Sequence, residues 1–346
     1  EADVEKLPFD VLPSRTIMSE LYAVTSGDPA GIGPDISLKI ALRDDNHQFV
    51  VFGNIDLLKE RAEMHGMDVK FIEFDESMTD LQIQKNTLLV KNFKLNENVT
   101  PGVMNSENGS YVLSLIDAAV GGCLSGHFSG CITGPVNKEA ITKSGYEFSG
   151  HTEHIGKLCK QTPVMSFISD HMKMALLTTH MPLKDVPARI TTNRIMDVAR
   201  IIHSDLINYF NIESPKIGIT GLNPHAGENG YIGSEEKKIF SPALIALNDE
   251  GIHIDGPYAA DTIFLNQTGH DLIVSIFHDQ ILPLFKFANP HLSANVTMGL
   301  NIIRTSVDHG VAFDKVGMSD INHQSLYYAL DTAKSMAYSY EKTKSD

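Results

Sequence analysis

Three histidines follow apolar, strand-like segments at distant places in the chain. They are His180, His225 and His278, which follow residues 173–179, 216–220 and 272–277. Three neutral imidazoles that converge from separate strand ends would form an open metal site, with the other positions left for water or substrate. The carboxylates of Asp261 and Asp279 extend the choice of ion from Zn²⁺ to Mg²⁺ or Mn²⁺. The pattern leaves open that the histidines are three unrelated polar caps.

The third of these segments is a run of branched apolar residues that stops abruptly at His278, Asp279 and Gln280. Such a run is typical of a buried parallel strand that delivers polar residues to its C-terminal edge. Ligands bind at that edge in open α/β sheets. A histidine beside a carboxylate there either ligates a metal or moves a proton. The alternative is a histidine that only hydrogen-bonds a loop.

Donors suited to an anionic substrate occur in two places. Lys286, Asn295 and Arg304 follow one another at equal intervals, and a lysine, an amide and an arginine together can hold a phosphate or a carboxylate. His151 and Thr152 follow Gly150 at the start of a predicted helix, where backbone N–H groups add to the imidazole and the hydroxyl. The alternatives are a solvated lysine, a structural arginine salt bridge and a simple helix cap.

Two further stretches predict contacts with a nucleotide. Residues 26–34 form a glycine-rich turn between a strand and a helix, although they match neither G-x-G-x-x-G nor a Walker A motif. Residues 304–314 form a dense polar loop around Gly310, which could wrap a nucleotide. For both stretches, a tight structural turn is the alternative.

These residues need a scaffold, and the chain predicts an α/β fold. Strand-like and helix-like segments alternate up to about residue 150, as in a doubly wound sheet. Residues 164–168 and 173–179 then predict a hairpin. A chain of 346 residues can bury a large core and favours two lobes over one.

Composition excludes several classes of protein. The net charge of -15 argues against a surface that binds duplex nucleic acid, but it permits a local basic pocket for a small anion. The odd number of cysteines, Cys123, Cys131 and Cys159, without C-x-x-C spacing argues against disulfides and a thiolate zinc site. Residues 1–20 lack a secretory signal and predict a loose leader, and no apolar run is long enough to cross a bilayer. We therefore expect a cytoplasmic protein.

Taken together, these stretches resemble the 4-hydroxythreonine-4-phosphate dehydrogenase family of vitamin B6 biosynthesis. The matching stretches are residues 26–34, 134–138, 150–153, 179–183, 223–228, 260–262, 278–280 and 295–314. They follow in the family's order and extend over most of the chain from about residue 20.

The resemblance implies a two-lobed fold like that of isocitrate and isopropylmalate dehydrogenases, with a cleft between the lobes. Residues 20–145 and 290–346 would form the first lobe, which contains both chain ends and the nucleotide side. Residues 146–289 would form the second lobe, on the metal and dimerisation side. The family also implies a homodimer whose active site is shared between subunits.

The resemblance further assigns roles to individual residues. The implied metal ligands are His180, His225 and His278. The implied substrate ligands are His151, Thr152, Lys286, Asn295 and Arg304. The implied cofactor ligands are Asp308, Gly310 and Asp314. Asp279 and Lys286 are the candidates for moving the proton.

The implied reaction is the NAD- or NADP-dependent oxidation of 4-phosphohydroxy-L-threonine, assisted by Zn²⁺, Mg²⁺, Mn²⁺ or Co²⁺. The resulting 3-keto acid would decarboxylate to 3-amino-2-oxopropyl phosphate, in pyridoxal phosphate biosynthesis. Val311 and residues 315–318 depart from the family's usual threonine and glycine-rich run, which leaves the choice between NAD and NADP open.

Three other activities remain open. One is a dehydrogenase of the same family that acts on a four-carbon sugar-acid phosphate or a dihydrodiol. Another is a phosphate acyltransferase with the same architecture, which would need no histidine triad. The third is a hydrolase that uses the three histidines to activate water.

Overall fold

A computed structural model describes residues 20–78, 83–265 and 269–345, so the predicted leader lies outside the described residues except for Glu20. The strands are β1 (Tyr22–Thr25), β2 (Phe49–Gly53), β3 (Lys70–Glu73), β4 (Thr87–Asn92), β5 (Gly130–Thr133), β6 (Val164–Ile168), β7 (Lys173–Leu176), β8 (Ile217–Thr220), β9 (Ile254–Tyr258), β10 (Leu272–Ser275), β11 (Ala294–Met298) and β12 (Arg304–Ser306). The α-helices are α1 (Gly33–Leu38), α2 (Ile55–Met64), α3 (Gly109–Leu124), α4 (Lys138–Lys143), α5 (His151–Cys159), α6 (Val186–Arg189), α7 (Thr192–Phe210), α8 (Ser241–Asp249), α9 (His278–Ala288) and α10 (Gln324–Ser345).

The strands of the described ranges form one sheet in the order β3-β4-β2-β1-β5-β12-β11-β6-β7-β10-β8-β9. The first six strands in this order pair in parallel, and so do the last four. Between them, β12, β11, β6 and β7 pair antiparallel in succession. The chain direction therefore reverses three times, and the two parallel groups run in opposite directions. This arrangement confirms the predicted α/β class and the predicted hairpin of β6 and β7.

The prediction of a polar loop over residues 304–314 is wrong at its start. Arg304, Thr305 and Ser306 form β12, which lies in the interior of the sheet between β5 and β11. All three residues are buried although none is apolar. The side chains of Arg304 and Thr305 bond to neighbouring elements; for example, the hydroxyl of Thr305 donates to the carbonyl of Ala329 on α10 at 2.8 Å.

Helices cover the sheet with apolar faces, as periodicity requires. Helix α7 is capped by Thr191, whose hydroxyl accepts a hydrogen bond from the backbone N–H of Arg194. Its buried apolar residues recur at helical spacing and include Ile195, Val198, Ile202 and Leu206.

Over the ranges that the structure covers, no helix has the length and apolar character to cross a membrane. The division into lobes at residues 145 and 290 stays a prediction.

Asp205 on α7 makes the stability of this fold depend on pH. Its side chain is 2% exposed and accepts one hydrogen bond from the backbone N–H of Gly299 at 2.8 Å. Burial raises its pKa from 3.8 to about 7, against the lowering effect of that hydrogen bond. Because the folded state holds this proton more tightly than the unfolded state, the stability linked to it is complete below pH 3.8 and is lost as the pH rises through about 7.

We expect Asp205→Asn to remove this dependence, because an amide keeps the acceptor for Gly299 and carries no charge. At pH 8 the variant should exceed the wild type in free energy of unfolding by about 1–2 kcal/mol. At pH 4 the advantage should disappear. Urea unfolding across this range would measure the effect, with Asp197→Asn, on the more exposed face of α7, as the control. The prediction would be contradicted if the free energy of unfolding changed with pH in the same way for the wild type and Asp205→Asn.

Candidate active site

The three predicted metal ligands follow three neighbouring strands. Strand β10 lies between β7 and β8 and pairs in parallel with both. His180 follows β7, His225 follows β8 and His278 follows β10, each within a few residues. Because the C-terminal ends of neighbouring parallel strands meet at one edge of a sheet, the three histidines share that edge.

Two of these histidines face each other and the third does not. The ring centroids of His180 and His278 are 5.2 Å apart. His225 instead contacts Glu228, whose Oε1 lies 2.6 Å from its Nδ1. Within residues 20–78, 83–265 and 269–345, no three His, Cys, Asp or Glu side chains are grouped closely enough to hold a metal ion. The structure of one subunit therefore brings together a pair of the predicted ligands.

The chemistry of these side chains fits a divalent cation. Asp279 Oδ1 lies 2.8 Å from Nδ1 of His278, and Glu228 occupies the same position on His225. A carboxylate that accepts from Nδ1 leaves Nε2 as the nitrogen that can ligate a metal. Burial lowers the pKa of His180, and Lys138 and His278 lower it further, which favours the neutral, ligating form. Asp279 is thus positioned to orient His278.

Gln280 connects two of the strand ends. Its Oε1 accepts hydrogen bonds from the hydroxyl of Thr220 and the backbone N–H of Ile276, both at 2.8 Å. Its Nε2 donates to the carbonyl of Gly221 at 2.7 Å. These bonds tie the end of β10, which carries His278, to the end of β8.

Arg304, a predicted substrate ligand, is a buried cation with unusual partners. The residue is 1% exposed, and its guanidinium donates to Asn295 Oδ1 at 3.2 Å, Thr297 Oγ1 at 2.8 Å and Thr133 Oγ1 at 2.7 Å. All three acceptors are neutral, and Nε is buried without a hydrogen-bond partner in the described structure. Burial lowers the pKa of Arg304 to about 10, so the side chain is still a cation at neutral pH. A buried cation with only neutral partners is costly, and an incoming anion would offset that cost.

His151 lies near Arg304 and is also incompletely bonded. It begins α5 after Gly150, and its Nε2 is buried without a partner among the described residues. Burial, assisted by Arg304, His154 and Lys138, lowers the pKa of His151 well below its usual value, so the ring is neutral. Thr152 beside it is 4% exposed. The predicted phosphate ligands and Arg304 therefore belong to one cluster.

Lys138 and Glu153 belong to this cluster too, and the sequence did not identify them. A Cβ atom on Gly150 would lie 2.9 Å from Oε2 of Glu153 and 3.4 Å from Nζ of Lys138, so both side chains converge on that glycine. Both residues were in matching stretches, 134–138 and 150–153, which could have indicated them. Thr133 and Thr297 were also missed. Thr133 directly precedes the 134–138 stretch, and Thr297 lies within the 295–314 stretch, two residues after Asn295.

A predicted substrate ligand and a predicted cofactor ligand bind each other. Lys286 Nζ lies 2.8 Å from Oδ1 of Asp308 and 3.3 Å from its carbonyl oxygen. Asp308 Oδ2 also accepts from the hydroxyl of Ser293 at 3.0 Å. The other two predicted cofactor ligands, Gly310 and Asp314, are exposed.

The two candidate nucleotide turns are in direct contact. The backbone N–H of Ile32 donates to the carbonyl of Val311 at 3.0 Å. A Cβ on Gly31 would lie 2.8 Å from the same carbonyl oxygen, so the approach requires glycine. The glycine-rich turn and the loop after β12 are therefore packed against each other, and residues 26–34 of the turn are buried.

Comparisons with known proteins match most of this chain to one protein family. The family model of the pyridoxal phosphate biosynthetic protein PdxA matches residues 45–333. The 4-hydroxythreonine-4-phosphate dehydrogenase of Pseudomonas putida is 42% identical over 320 residues, which cover 91% of this chain and 97% of that protein. The solved 4-hydroxythreonine-4-phosphate dehydrogenase of Klebsiella pneumoniae is similar, with a TM-score of 0.82 and 30% identity over 92% of this chain and 100% of that chain. A terephthalate 1,2-cis-dihydrodiol dehydrogenase from Burkholderia xenovorans is less similar, with a TM-score of 0.63 and 25% identity over 91% of this chain and 97% of that chain.

Proposed function

Since this chain belongs to the family of the pyridoxal phosphate biosynthetic protein PdxA, we propose that it oxidises 4-phosphohydroxy-L-threonine at its C3 hydroxyl, with NAD or NADP as the hydride acceptor. The observation that carries this proposal is the buried Arg304 cation, which has only neutral partners and lies beside His151. The proposed substrate carries a carboxylate and a phosphate, and each needs such donors. The family resemblance inferred from the sequence is confirmed by the family match.

The chain's own residues would bind and orient this substrate. His151 and Thr152 would hold the phosphate at the start of α5, where backbone N–H groups are available. Arg304 and Asn295 would hold the second anionic group. Lys286 would join them by exchanging its bond to Asp308 for one to the substrate. Several fixed donors of this kind would keep the C3 hydroxyl and its C–H bond in one orientation.

The proposed metal ligands are His180 and His278 of one subunit. In the expected homodimer, the partner subunit would provide His225, which accounts for its separation from the pair. The chemistry that Zn²⁺, Mg²⁺, Mn²⁺ or Co²⁺ supplies when bound there is Lewis-acid polarisation of an oxygen. Asp279 and Glu228 would hold the two imidazoles in the tautomer that ligates.

Asp308, Gly310 and Asp314 would hold the dinucleotide, whose chemistry is the acceptance of a hydride. The solvent-accessible carboxylate of Asp279 would accept the hydroxyl proton, or Lys286 would relay it by first giving one of its own protons to Asp308 and then taking the hydroxyl proton. The product is a 3-keto acid with its carboxylate β to the new carbonyl. Loss of CO₂ leaves an electron pair at C2, which a proton then takes, giving 3-amino-2-oxopropyl phosphate.

A spectrophotometric assay of NADH and NADPH formation tests the proposal. It would compare 4-phosphohydroxy-L-threonine with D-erythronate 4-phosphate and D-threonate 4-phosphate, with and without a chelator. We expect kcat/KM to be at least roughly tenfold higher for 4-phosphohydroxy-L-threonine and to fall at least about tenfold with the chelator. Preference for a sugar-acid phosphate, or turnover that the chelator leaves unchanged, would contradict it. A dihydrodiol substrate should be included, given the similarity to the terephthalate dihydrodiol dehydrogenase.

A further inference from the structure

Glu153 has a carboxylate oxygen that is buried and unbonded. Its Oε2 has no hydrogen-bond partner in the described structure, and it is the one carboxylate oxygen in the described ranges for which this holds. Its other oxygen, Oε1, lies 3.5 Å from the hydroxyl of Thr179. A buried carboxylate oxygen without a donor is costly, and a cationic donor offsets most of that cost. Glu153 therefore indicates a place for a cation.

The surroundings of Glu153 show that this place is inside the proposed substrate site. Glu153 directly follows the phosphate ligands His151 and Thr152 on α5. Its charge partly counters the fall in pKa that burial causes at Arg304 and at His180. Its Oε2 also approaches Gly150 from the same side as Lys138. The unbonded oxygen thus lies among the groups that would bind the substrate's anions.

The other acidic residues near the site already have partners. Asp279 accepts from His278, and Asp308 is bonded to Lys286 and Ser293. Lys138 approaches Glu153 but does not donate to Oε2. Glu153 is therefore the acid with capacity for an incoming donor.

The charges of the proposed substrate match this arrangement. Its carboxylate and phosphate are anions, which suit Arg304, Lys286 and the start of α5. Its remaining charged group is the ammonium at C2, which needs an acceptor. We infer that Glu153 binds this ammonium and thereby makes the enzyme prefer a 2-amino acid over the 2-hydroxy acid of the same length. The inference rests on the proposed function and names the residue that selects its substrate.

The test compares Glu153→Gln with the wild type on 4-phosphohydroxy-L-threonine and on D-erythronate 4-phosphate, which carries a hydroxyl at C2. Glutamine keeps the shape and removes the charge. We expect kcat/KM for the amino substrate to fall about 10- to 100-fold, mainly through KM, because a charge-assisted bond is lost. The 2-hydroxy acid is measured both as a substrate and as an inhibitor, and its constants should change less than about threefold.

Two control variants distinguish a loss of ammonium recognition from a structural effect of the substitution. Glu139→Gln changes a nearby exposed glutamate that pairs with Lys143, and it should affect neither ligand. Glu153→Asp keeps the charge on a shorter side chain and should restore part of the preference. An equal loss for both ligands in Glu153→Gln, or no loss for either, would overturn the role of Glu153 while leaving the dehydrogenase proposal standing. If the wild type oxidises neither compound, the proposed function itself fails, and the inference fails with it.

Discussion

Arg304→Met is expected to lower kcat/KM by about 10²- to 10³-fold and to leave the ligand-free protein at least as stable as the wild type. Activity should fall because the variant loses the buried cation that is proposed to bind the substrate. Stability should not fall, because Arg304 is buried among neutral acceptors and no carboxylate bonds to it. Kinetics with the amino substrate and thermal unfolding without ligand would measure the two effects.

The matched control is Arg61, which is also 1% exposed but pairs with Asp35 at 2.7 Å. Arg61→Met removes the guanidinium from a buried carboxylate, which keeps only its contact with His65 as an ion-pair partner, and should destabilise the fold by about 3–5 kcal/mol. Arg304→Lys should recover only part of the activity, because an ammonium cannot reach three acceptors that are divided between β5 and β11. If Arg304→Met destabilised the protein as much as Arg61→Met does, the role of Arg304 would be structural.

His278→Ala is expected to produce the second large loss. We expect affinity for a divalent ion to fall by more than about 100-fold, and turnover at saturating metal to fall at least as far. Asp279→Asn should weaken metal binding by about 10- to 100-fold, because it disturbs the partner that orients the ring. Titration calorimetry with Zn²⁺ or Mn²⁺ would measure affinity independently of activity. His171→Ala changes an exposed histidine in the turn between β6 and β7 and is the control.

The variant His278→Ala also tests whether the metal site is shared between subunits. Dimers mixed from His225→Ala and His278→Ala subunits should regain activity, because one of their two sites then contains all three histidines. Near-normal turnover in His278→Ala alone would remove this residue from the chemistry. An inactive mixture would indicate that a single subunit provides all three ligands.

The sequence predicted the scaffold well where elements are apolar. The run at 272–277 predicted the strand β10, and the hairpin of β6 and β7 followed from two β-rich segments. Strand β12 was missed because its residues, Arg304, Thr305 and Ser306, resemble a loop. Its position in the sheet depends on partners far away in the chain, which local propensity does not contain.

The site was predictable in its residue types but not in its contacts. The motifs indicated His180 and His278, and their rings are indeed close. The sequence could not predict that His225 lies apart from this pair. Its position depends on the loop after β8, in which its ring contacts Glu228. The pairing of Lys286 with Asp308 also had no signal, since each was assigned to a different ligand. Glu153 was overlooked because an acid beside the predicted phosphate ligands repels a phosphate, and a role for it follows only from the ammonium of the proposed substrate.

The position of β12 has a consequence for synthesis on the ribosome. Strand β5 is complete at Thr133, but its neighbour in the sheet begins at Arg304, 171 residues later. Translation needs roughly 10 to 30 s to cover that distance. During that time one edge of an apolar strand lacks its partner, which is a hazard for aggregation and a target for chaperones. A chain that stops before residue 304 has neither the strand that covers this edge nor the guanidinium on which the proposed anion site depends.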